Sequence, residues 1–433
     1  MMPSDRFERH LPELLTELAR PQTPEYLDEL LWQTAHTSQR PAWSFLERWL
    51  PMLDIAREPV LAPRMPWRSM GLAITLLALL LAAMAIALIG SPRHLPEPFG
   101  LARNGLVAYA ADGDIYTADP ITGVSTAIVS GPEIDLGPVF SRDGTRLVFE
   151  RRIEGERGSG RLFVANADGT GLILVTPERP LVLGPYQFSP DGSEVMYTSI
   201  VDRVSTISIA RSDGSGVRSL NIGFAAVHPD YRPPDGAEIV FAGHDGPFSG
   251  LYAIRPDSTG IRTIREPTNM VFEHVRWSPD GSQIAYSAWG EALDSTEDRA
   301  RVHVTSADGS ETRILPTLAS TEMEGRPIWS NDGNRVLVWR CSTPPKGGAC
   351  LNKFAVVPAD GRDAGIQLET DVLSFDSVLA TQVWAPDDGS ILAAIPDMEG
   401  PSSRLIQWDP VTGSTQPVSW VPSGEPSWQR LAR

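Results

Sequence analysis

The stretch VRWSPDGSQIAY, at residues 275–286, decides the fold, because five other stretches of the chain repeat its pattern. The copies are PVFSRDGTRLVF (138–149), PYQFSPDGSEVMY (185–197), PDYRPPDGAEIVF (229–241), PIWSNDGNRVLVW (327–339) and QVWAPDDGSILAA (382–394). Each copy places an aromatic residue before an Asp-Gly turn and a short apolar strand after it. The turns recur about every 45–55 residues, a period that indicates one supersecondary unit copied several times.

A second hairpin lies between successive turns, as in RLFVANADGTGLILVT (161–176), and occurs seven times, whereas only six full first hairpins are present. The remaining strands are NGLVAYA (104–110) near the start of the repeats and EPSWQRLA (425–432) at the end of the chain. If these two strands pair, they complete a seventh four-stranded sheet. The sequence therefore predicts an all-β fold over residues 104–433, a seven-bladed β-propeller closed by a split blade.

The repeated residues have structural roles in this prediction. The aromatic residues are expected to fill the gaps between neighbouring blades: Phe140, Phe188, Tyr231, Trp277, Trp329, Trp384 and Trp428. The glycine of each turn supplies the positive φ of a tight hairpin. We expect the turn aspartates to accept hydrogen bonds from backbone amides rather than to bind calcium.

The phrase WSPDGSQIAY resembles the WD40-like Asp-Gly repeat of the TolB family, and FSPDGSEVMY matches it nearly as well. The resemblance covers residues 104–433 and implies a TolB-like propeller, often extracytoplasmic, that acts through contacts with other proteins. TolB-like propellers commonly have six blades and are soluble. The chain departs from that pattern in its seven predicted blades and in a predicted membrane anchor.

The predicted anchor is Gly71–Gly90, which contains 20 residues and no charge. At 1.5 Å per residue, a helix of this length spans about 30 Å, the thickness of the hydrocarbon core of a bilayer. A cleaved signal peptide is the alternative, but its apolar region is shorter and lies nearer the N-terminus. We therefore predict a transmembrane helix at residues 69–90 and a proline-rich linker at 91–103. Flanking arginines favour a cytoplasmic N-terminus and an extracytoplasmic propeller.

Residues 1–68 are predicted to form short amphipathic helices in the cytoplasm, since apolar residues recur at helical spacing. A segment this small buries little apolar surface, so its helices either form a small bundle, bind a protein or lie on the membrane. A helical segment, one span and an outer domain resemble the layout of transmembrane anti-sigma factors. That resemblance implies a sigma factor as cytoplasmic partner, although the zinc motif of the family is absent around His10 and His36.

Charge and cysteine content bear on the partners of the chain and on the state of its cysteines. The formal charge is −17, and 44 Asp and Glu against 29 Lys and Arg lie beyond Arg68. Such a chain repels phosphate backbones, so no nucleic-acid partner is expected. The two cysteines, Cys341 and Cys350, lie at the predicted base of one hairpin and are expected to form a disulfide, with two thiols as the alternative.

One set of polar residues is expected at a mouth of the central channel, because each stands three residues before a blade aromatic. The set is Gly137, Pro185, His228, His274, Arg326, Thr381 and Glu425, with Glu273 and Glu324 nearby. We predict a ligand-binding rim from His228, His274, Glu324, Arg326 and Glu425. A metal ion at His228 and His274 is the less favoured possibility, and a rim of solvated polar residues is the alternative to any site.

No Gly-x-Ser-x-Gly, P-loop or dinucleotide-binding motif occurs. The sequence therefore favours a membrane-anchored binding or sensing module that is not an enzyme, has no cofactor and binds proteins. It gives no indication of the oligomeric state. An anchored glycan hydrolase or lyase that uses carboxylates at the propeller mouth is the alternative function.

Overall fold

A computed structural model describes most of the chain from Glu97 to Arg433. The described residues are 97, 99–152, 160–177, 182–201, 203–290, 299–319, 322–342, 350–368, 373–374, 382–396, 403–420, 422 and 424–433. The predicted helices at 1–68, the predicted span at 69–90 and most of the predicted linker lie outside them. Within this part of the chain, no helix is long and apolar enough to cross a bilayer.

Seven antiparallel sheets make up the described structure, and we number them as blades 1 to 7. Blade 1 contains β1 (Arg103–Ala111), β2 (Asp114–Ala118), β3 (Ser125–Val129) and the last strand of the chain, β29 (Ser427–Leu431). Blade 2 contains β4 (Ile134–Phe140), β5 (Arg146–Arg152), β6 (Arg161–Asn166) and β7 (Ile173–Leu174). Blade 3 contains β8 (Val182–Phe188), β9 (Glu194–Val201), β10 (Val204–Arg211) and β11 (Val217–Ser219). Blade 4 contains β12 (Ala225–Tyr231), β13 (Ile239–Asp245), β14 (Phe248–Ile254) and β15 (Arg262–Thr268).

The remaining blades follow the same order. Blade 5 contains β16 (Met270–Trp277), β17 (Gln283–Gly290), β18 (Arg301–Ser306) and β19 (Thr312–Ile314). Blade 6 contains β20 (Glu322–Trp329), β21 (Arg335–Ser342), β22 (Cys350–Pro358), β23 (Ile366–Leu368) and the short β24 (Leu373–Ser374), which pairs with β22. Blade 7 contains β25 (Gln382–Trp384), β26 (Ile391–Pro396), β27 (Ser403–Trp408) and β28 (Thr415–Pro417).

The two ends of the domain close the ring in blade 1. Strand β29 pairs with β1 in antiparallel register, with Val107 opposite Trp428 and Ala108 opposite Ser427. The prediction of a seven-bladed propeller with a split blade is therefore confirmed. This closure pairs the inner edge of β1 with β29 and gives blade 1 the four strands that the other blades have.

The blade aromatics lie between neighbouring blades, as the repeats predict. Trp277 of blade 5 packs with Val240 and Leu251 of blade 4, and Trp329 of blade 6 packs with Val302 and Val304 of blade 5. All seven blade aromatics are buried. The ring is thus held together by apolar surface removed from water at each joint between blades.

The turns that follow these aromatics show the predicted hydrogen bonds to aspartate and the predicted positive φ at glycine. Asp191 accepts hydrogen bonds from the Ser189 hydroxyl at 2.6 Å and from the Ser193 amide at 3.0 Å, and Gly192 has φ of +69°. The turn of blade 7 differs, because Asp388 rather than Gly389 has the positive φ. The Asp388 carboxylate accepts hydrogen bonds from the amides of Asn331 and Asp332, which ties this turn to blade 6.

Cys341 lies fully buried in β21 and is disulfide-bonded. Its direct partner in the β21–β22 register is Asn352, and the other cysteine of the chain, Cys350, begins β22 two positions away. Cys341 and Cys350 thus lie on the two strands of the blade 6 hairpin, and their pairing with each other stays a prediction.

Candidate functional site: the mouth of the central channel

The innermost strand of each blade lines a central channel, which contains adjoining cavities that share lining residues. The cavity at the end where these strands begin has a volume of about 550 Å³, a size typical of small-molecule sites. We call this end the mouth, and the opposite end, which carries the Asp-Gly turns, the turn end. The mouth cavity is lined by Gly137, Val139, Pro185, Tyr186, His228, His274, Arg276, Arg326, Pro327, Ile328 and Glu425.

A β-bulge in the inner strand aims residues into the mouth. The register shifts between Val227 and Asp230 in blade 4, and the equivalent strands of blades 2, 5 and 6 shift at the same place. An extra residue at such a bulge leaves the ladder and re-aims its side chain. The residues concerned are Gly137, His228, His274 and Arg326, with φ of +58°, +53°, +52° and +53°.

These backbone angles distinguish blade 2 from blades 4, 5 and 6. Glycine is the residue for which positive φ is easy, and blade 2 has Gly137 there, with the Tyr186 hydroxyl donating to its carbonyl at 2.7 Å. Blades 4, 5 and 6 place His228, His274 and Arg326 in the same conformation, at a cost of about 1 kcal/mol or more each. Strain that recurs in three blades and faces one cavity is typical of a functional site.

His228 and His274 form a stacked pair, with ring centroids 4.5 Å apart. Burial, helped by the positive charges of Arg276 and Arg326, lowers the pKa of His228 to about 4 and that of His274 to about 2. Both imidazoles are therefore neutral at pH 7. The Nδ1 atoms of both rings are buried and make no hydrogen bond with the described residues.

The arginines of the mouth differ from those on the outside of the propeller. Outer arginines pair with carboxylates, as Arg218 does with Glu194 at 2.6 Å and Arg262 with Glu238 at 2.8 Å. Among the described residues, neither Arg276 nor Arg326 forms an ion pair. The charge of Arg276 acts on Asp230 and that of Arg326 on Glu273, but no described carboxylate lies within ion-pair distance of either guanidinium group.

Carboxylates contribute less to the mouth than the sequence predicts. Glu425 lines the cavity. Glu273 lies beside it, with Oε2 3.7 Å from His274 Nδ1, and burial raises its pKa.

Glu324 is not on the rim, and this part of the prediction is corrected. The side chain is fully buried within blade 6, where Oε1 accepts a hydrogen bond from Arg340 Nε at 2.6 Å. Burial raises the pKa of Glu324 to about 7 against the opposing effect of Arg340. The bulge changes which residues face the channel, so counting back from the aromatic of the blade does not place Glu324 correctly.

Two further predictions for the mouth concern Thr381 and a metal ion at His228 and His274. Thr381 lies outside the described residues. No group of three or more His, Cys, Asp or Glu side chains arranged to hold a metal ion occurs in the described part of the chain. His228 and His274 alone are fewer protein ligands than catalytic zinc sites normally have.

Sequence reasoning missed Asp230, Arg276 and Arg142, which line the channel below the mouth. Asp230 and Arg276 directly precede the aromatics of blades 4 and 5, where blades 2, 6 and 7 have Val139, Ile328 and Val383. Arg142 replaces the proline of the Ser-Pro-Asp-Gly turn. A comparison of the repeats could have identified these three residues, because each is charged where other blades have an apolar residue or proline.

No protein-family model matches the chain, and no curated protein matches it. Solved structures do. TolB from Acinetobacter baumannii has 15% identity and a TM-score of 0.47 over 75% of this chain and 81% of its own. An oligogalacturonate lyase from Vibrio parahaemolyticus has 12% identity and a TM-score of 0.51 over 74% and 85%. A puromycin hydrolase has 16% identity and a TM-score of 0.53 over 76% and 54%.

At these identities the likeness concerns the fold alone. With the topology above, the likeness to the lyase and to the puromycin hydrolase confirms the predicted propeller fold. It also overturns the prediction that the chain is not an enzyme, because a similar fold occurs in an oligogalacturonate lyase and in a puromycin hydrolase. The absence of familiar catalytic motifs was therefore no reason to exclude catalysis.

Proposed function

We propose that the chain is an enzyme that binds an acidic saccharide at the channel mouth and removes a proton next to a carboxylate, as a lyase does. One observation carries the proposal: two neutral, stacked histidines lie beside two arginines that form no ion pair with a described carboxylate. Unpaired guanidinium groups bind carboxylates strongly. A neutral imidazole is the form of histidine that accepts a proton.

The chemistry follows from this arrangement. A histidine takes the proton from the carbon next to the substrate carboxylate, and the released electron pair forms a carbon–carbon double bond. The glycosidic C–O bond at the next carbon breaks, and its electron pair leaves on oxygen, which then takes up a proton. Arg276 and Arg326 stabilise the negative charge that builds up on the carboxylate. The bound anion also raises the pKa of the histidines, which favours proton transfer.

Hydrolysis is less well supported by the residues of the mouth. Most glycoside hydrolases use two carboxyl groups on either side of the scissile bond. Among the described residues that line the mouth cavity, Glu425 alone carries a carboxylate. The oligogalacturonate lyase similar in fold makes uronate oligomers the first substrates to test.

The test is an assay of the full chain with oligogalacturonates and other uronate oligomers, in which absorbance reports the unsaturated product. We expect His228→Asn and His274→Asn to lower kcat by about 100-fold or more, as for loss of a general base. Asparagine tolerates positive φ, so the bulge is preserved. His303→Asn, in the third strand of blade 5, is the matched control and should keep full activity. Absence of unsaturated product from every uronate tested, or equal activity in the mouth variants, would overturn the proposal.

We further propose that the propeller lies outside the cytoplasm on the predicted anchor at residues 69–90. The disulfide of Cys341 supports this location, since disulfides persist in oxidising compartments. Protease treatment of intact spheroplasts should digest the propeller and leave residues 1–68 protected. Protection of the propeller would contradict the location. Contact of residues 1–68 with a cytoplasmic partner stays a prediction.

A further inference from the structure

Glu273 differs from its counterparts in the other bulges of the mouth. The residue that directly precedes the positive-φ position is Leu136 in blade 2, Val227 in blade 4, Glu273 in blade 5 and Gly325 in blade 6. An apolar or small residue therefore suffices to form the bulge. The carboxylate of blade 5 is not needed for the fold of its strand and calls for another explanation.

The bulge of blade 5 brings the side chains of Glu273 and His274 together. Successive residues of a regular strand point to opposite faces of the sheet, so their side chains do not meet. In β16 the register shifts after Glu273, and His274 has φ of +52°. Oε2 of Glu273 lies 3.7 Å from Nδ1 of His274, and both side chains are partly exposed. A carboxylate is thus the nearest described charged group on the Nδ1 side of this ring.

A carboxylate beside Nδ1 determines which ring nitrogen can accept a proton. In a neutral imidazole one nitrogen carries the proton and the other has the free lone pair. A negative charge near Nδ1 favours the tautomer with the proton on Nδ1, so Nε2 becomes the acceptor. The same charge stabilises the imidazolium that forms when Nε2 takes up a second proton.

The two mouth histidines differ in this respect. Burial is the main cause of the low pKa of each ring, and His274 has the lower pKa of the two. No described carboxylate pairs with His228, whereas Glu273 lies beside His274. The positive groups that act on one or both rings are Arg276, Arg326 and His244. A nearby negative charge therefore matters most at His274, where burial and the surrounding cations oppose protonation most strongly.

The charge of Glu273 itself depends on two opposing effects. Burial raises the pKa of this carboxyl, and the positive charge of Arg326 lowers it. The backbone amide of Arg326 donates to the Ser287 hydroxyl at 3.1 Å, and Ser287 is the register partner of Glu273 in β17. The bulge of blade 6 is thus attached next to Glu273, which places the cation where it favours the ionised carboxyl.

We infer that Glu273 is a positioning residue, which holds the proton of His274 on Nδ1 and makes Nε2 of His274 the base of the mouth. The inference rests on the proposed function for the reaction, whereas the tautomer of His274 is a property of the free protein. In the reaction the substrate proton moves from carbon to Nε2, and Glu273 neither gains nor loses a proton. His228 supports the base by stacking against it, with ring centroids 4.5 Å apart.

The test is nitrogen NMR of the histidine rings in the full chain at pH 7, with the signals of His274 identified by their loss in His274→Asn. We expect Nδ1 of His274 to carry the proton and Nε2 to be unprotonated. Glu273→Val, which gives blade 5 the residue type that blade 4 has at this position, should shift the population toward the other tautomer. Glu266→Val, at an exposed glutamate in the outer strand of blade 4, is the matched control and should leave the tautomer unchanged.

Activity on uronate oligomers gives a second measurement. Glu273→Val should lower kcat by about 10-fold to 100-fold, comparable to loss of the partners that orient metal-bound histidines. Glu273→Gln keeps an acceptor for the Nδ1 proton, so it should retain the tautomer. It should still lose part of the rate, because a neutral amide does not stabilise the imidazolium. Glu266→Val should keep full activity.

The outcomes separate the two ideas. If no uronate oligomer is cleaved but the tautomer changes as expected, the proposed function fails and the orientation of His274 by Glu273 stands. If uronates are cleaved and the unaltered chain has the proton of His274 on Nε2, or Glu273→Val keeps the tautomer or the full kcat, the proposed function stands and the role of Glu273 is wrong. The tautomer in the unaltered chain decides the matter even if Glu273→Val does not fold.

Discussion

The two ends of the channel are built from the same seven repeats, but their arginines differ in the number of hydrogen bonds and ion pairs that they form. At the turn end, the Arg430 guanidinium bonds to Asn331, Gly100 and Glu97. At the mouth, Arg326 has no described carboxylate partner, and two histidines have buried, unpartnered Nδ1 atoms. At the turn end both terminal nitrogens of Arg430 donate hydrogen bonds and Nε alone has no partner among the described residues, whereas at the mouth neither buried Nδ1 atom has one.

The difference separates structural roles from functional ones. Buried polar groups are normally hydrogen-bonded, and each exception calls for an explanation. Strained φ at His228, His274 and Arg326 adds to the cost of the mouth. Substitutions at the turn end should therefore lower stability, whereas those at the mouth should alter charge and binding.

The largest expected effect on stability is that of Arg430→Ala. The change removes three hydrogen bonds from a buried charged group, so Asn331 Oδ1 and two linker carbonyls lose the Arg430 donor. We expect the free energy of unfolding to fall by about 2–3 kcal/mol in denaturant titrations. Arg433→Ala, at the exposed last residue of the chain, should change it by less than about 0.5 kcal/mol. An equally small effect of Arg430→Ala would mean that the linker is not held at the turn end.

The contrast also explains what the sequence predicts well and what it does not. Blade number, closure through Trp428 and the roles of the turn aspartates follow from spacing, because each repeat fixes its own local hydrogen bonds. The mouth depends on a bulge, and the register of Glu324 relative to His274 cannot be counted along the chain. The segment before β1 brings Phe99 to Arg142 and Gly100 to Arg430 over long sequence separations, which no local pattern records.

A second effect is expected in the pH dependence of stability. The pKa values of His228 and His274 are lowered to about 4 and about 2, while an unfolded histidine titrates near 6.5. Between about pH 6.5 and 4 the unfolded chain binds protons that the folded chain does not, so stability falls as the pH falls. Each histidine contributes up to about 1.4 kcal/mol per pH unit. The double variant His228→Asn, His274→Asn should show a shallower fall in Tm over this range.

The buried carboxyl of Glu324 has a raised pKa and acts in the opposite direction over part of that range. It is present in both proteins, so the difference between their curves isolates the mouth histidines. Parallel curves would mean that the two imidazoles titrate as they do in water and that the mouth is not desolvated.

The smallest and most specific effect concerns Arg326→Gln. The positive charge of Arg326 lowers the pKa of both mouth histidines. The substitution should therefore raise both pKa values, which can be measured by NMR titration of the ring protons. Stability should change little, because the described Arg326 side chain makes no ion pair that would be lost. The matched change Arg255→Gln, at an exposed arginine of blade 4, should leave both histidines unchanged. If Arg326→Gln instead destabilised the fold as Arg430→Ala is expected to, both ends of the channel would be structural, and the case for a ligand anion at the mouth would lose its main support.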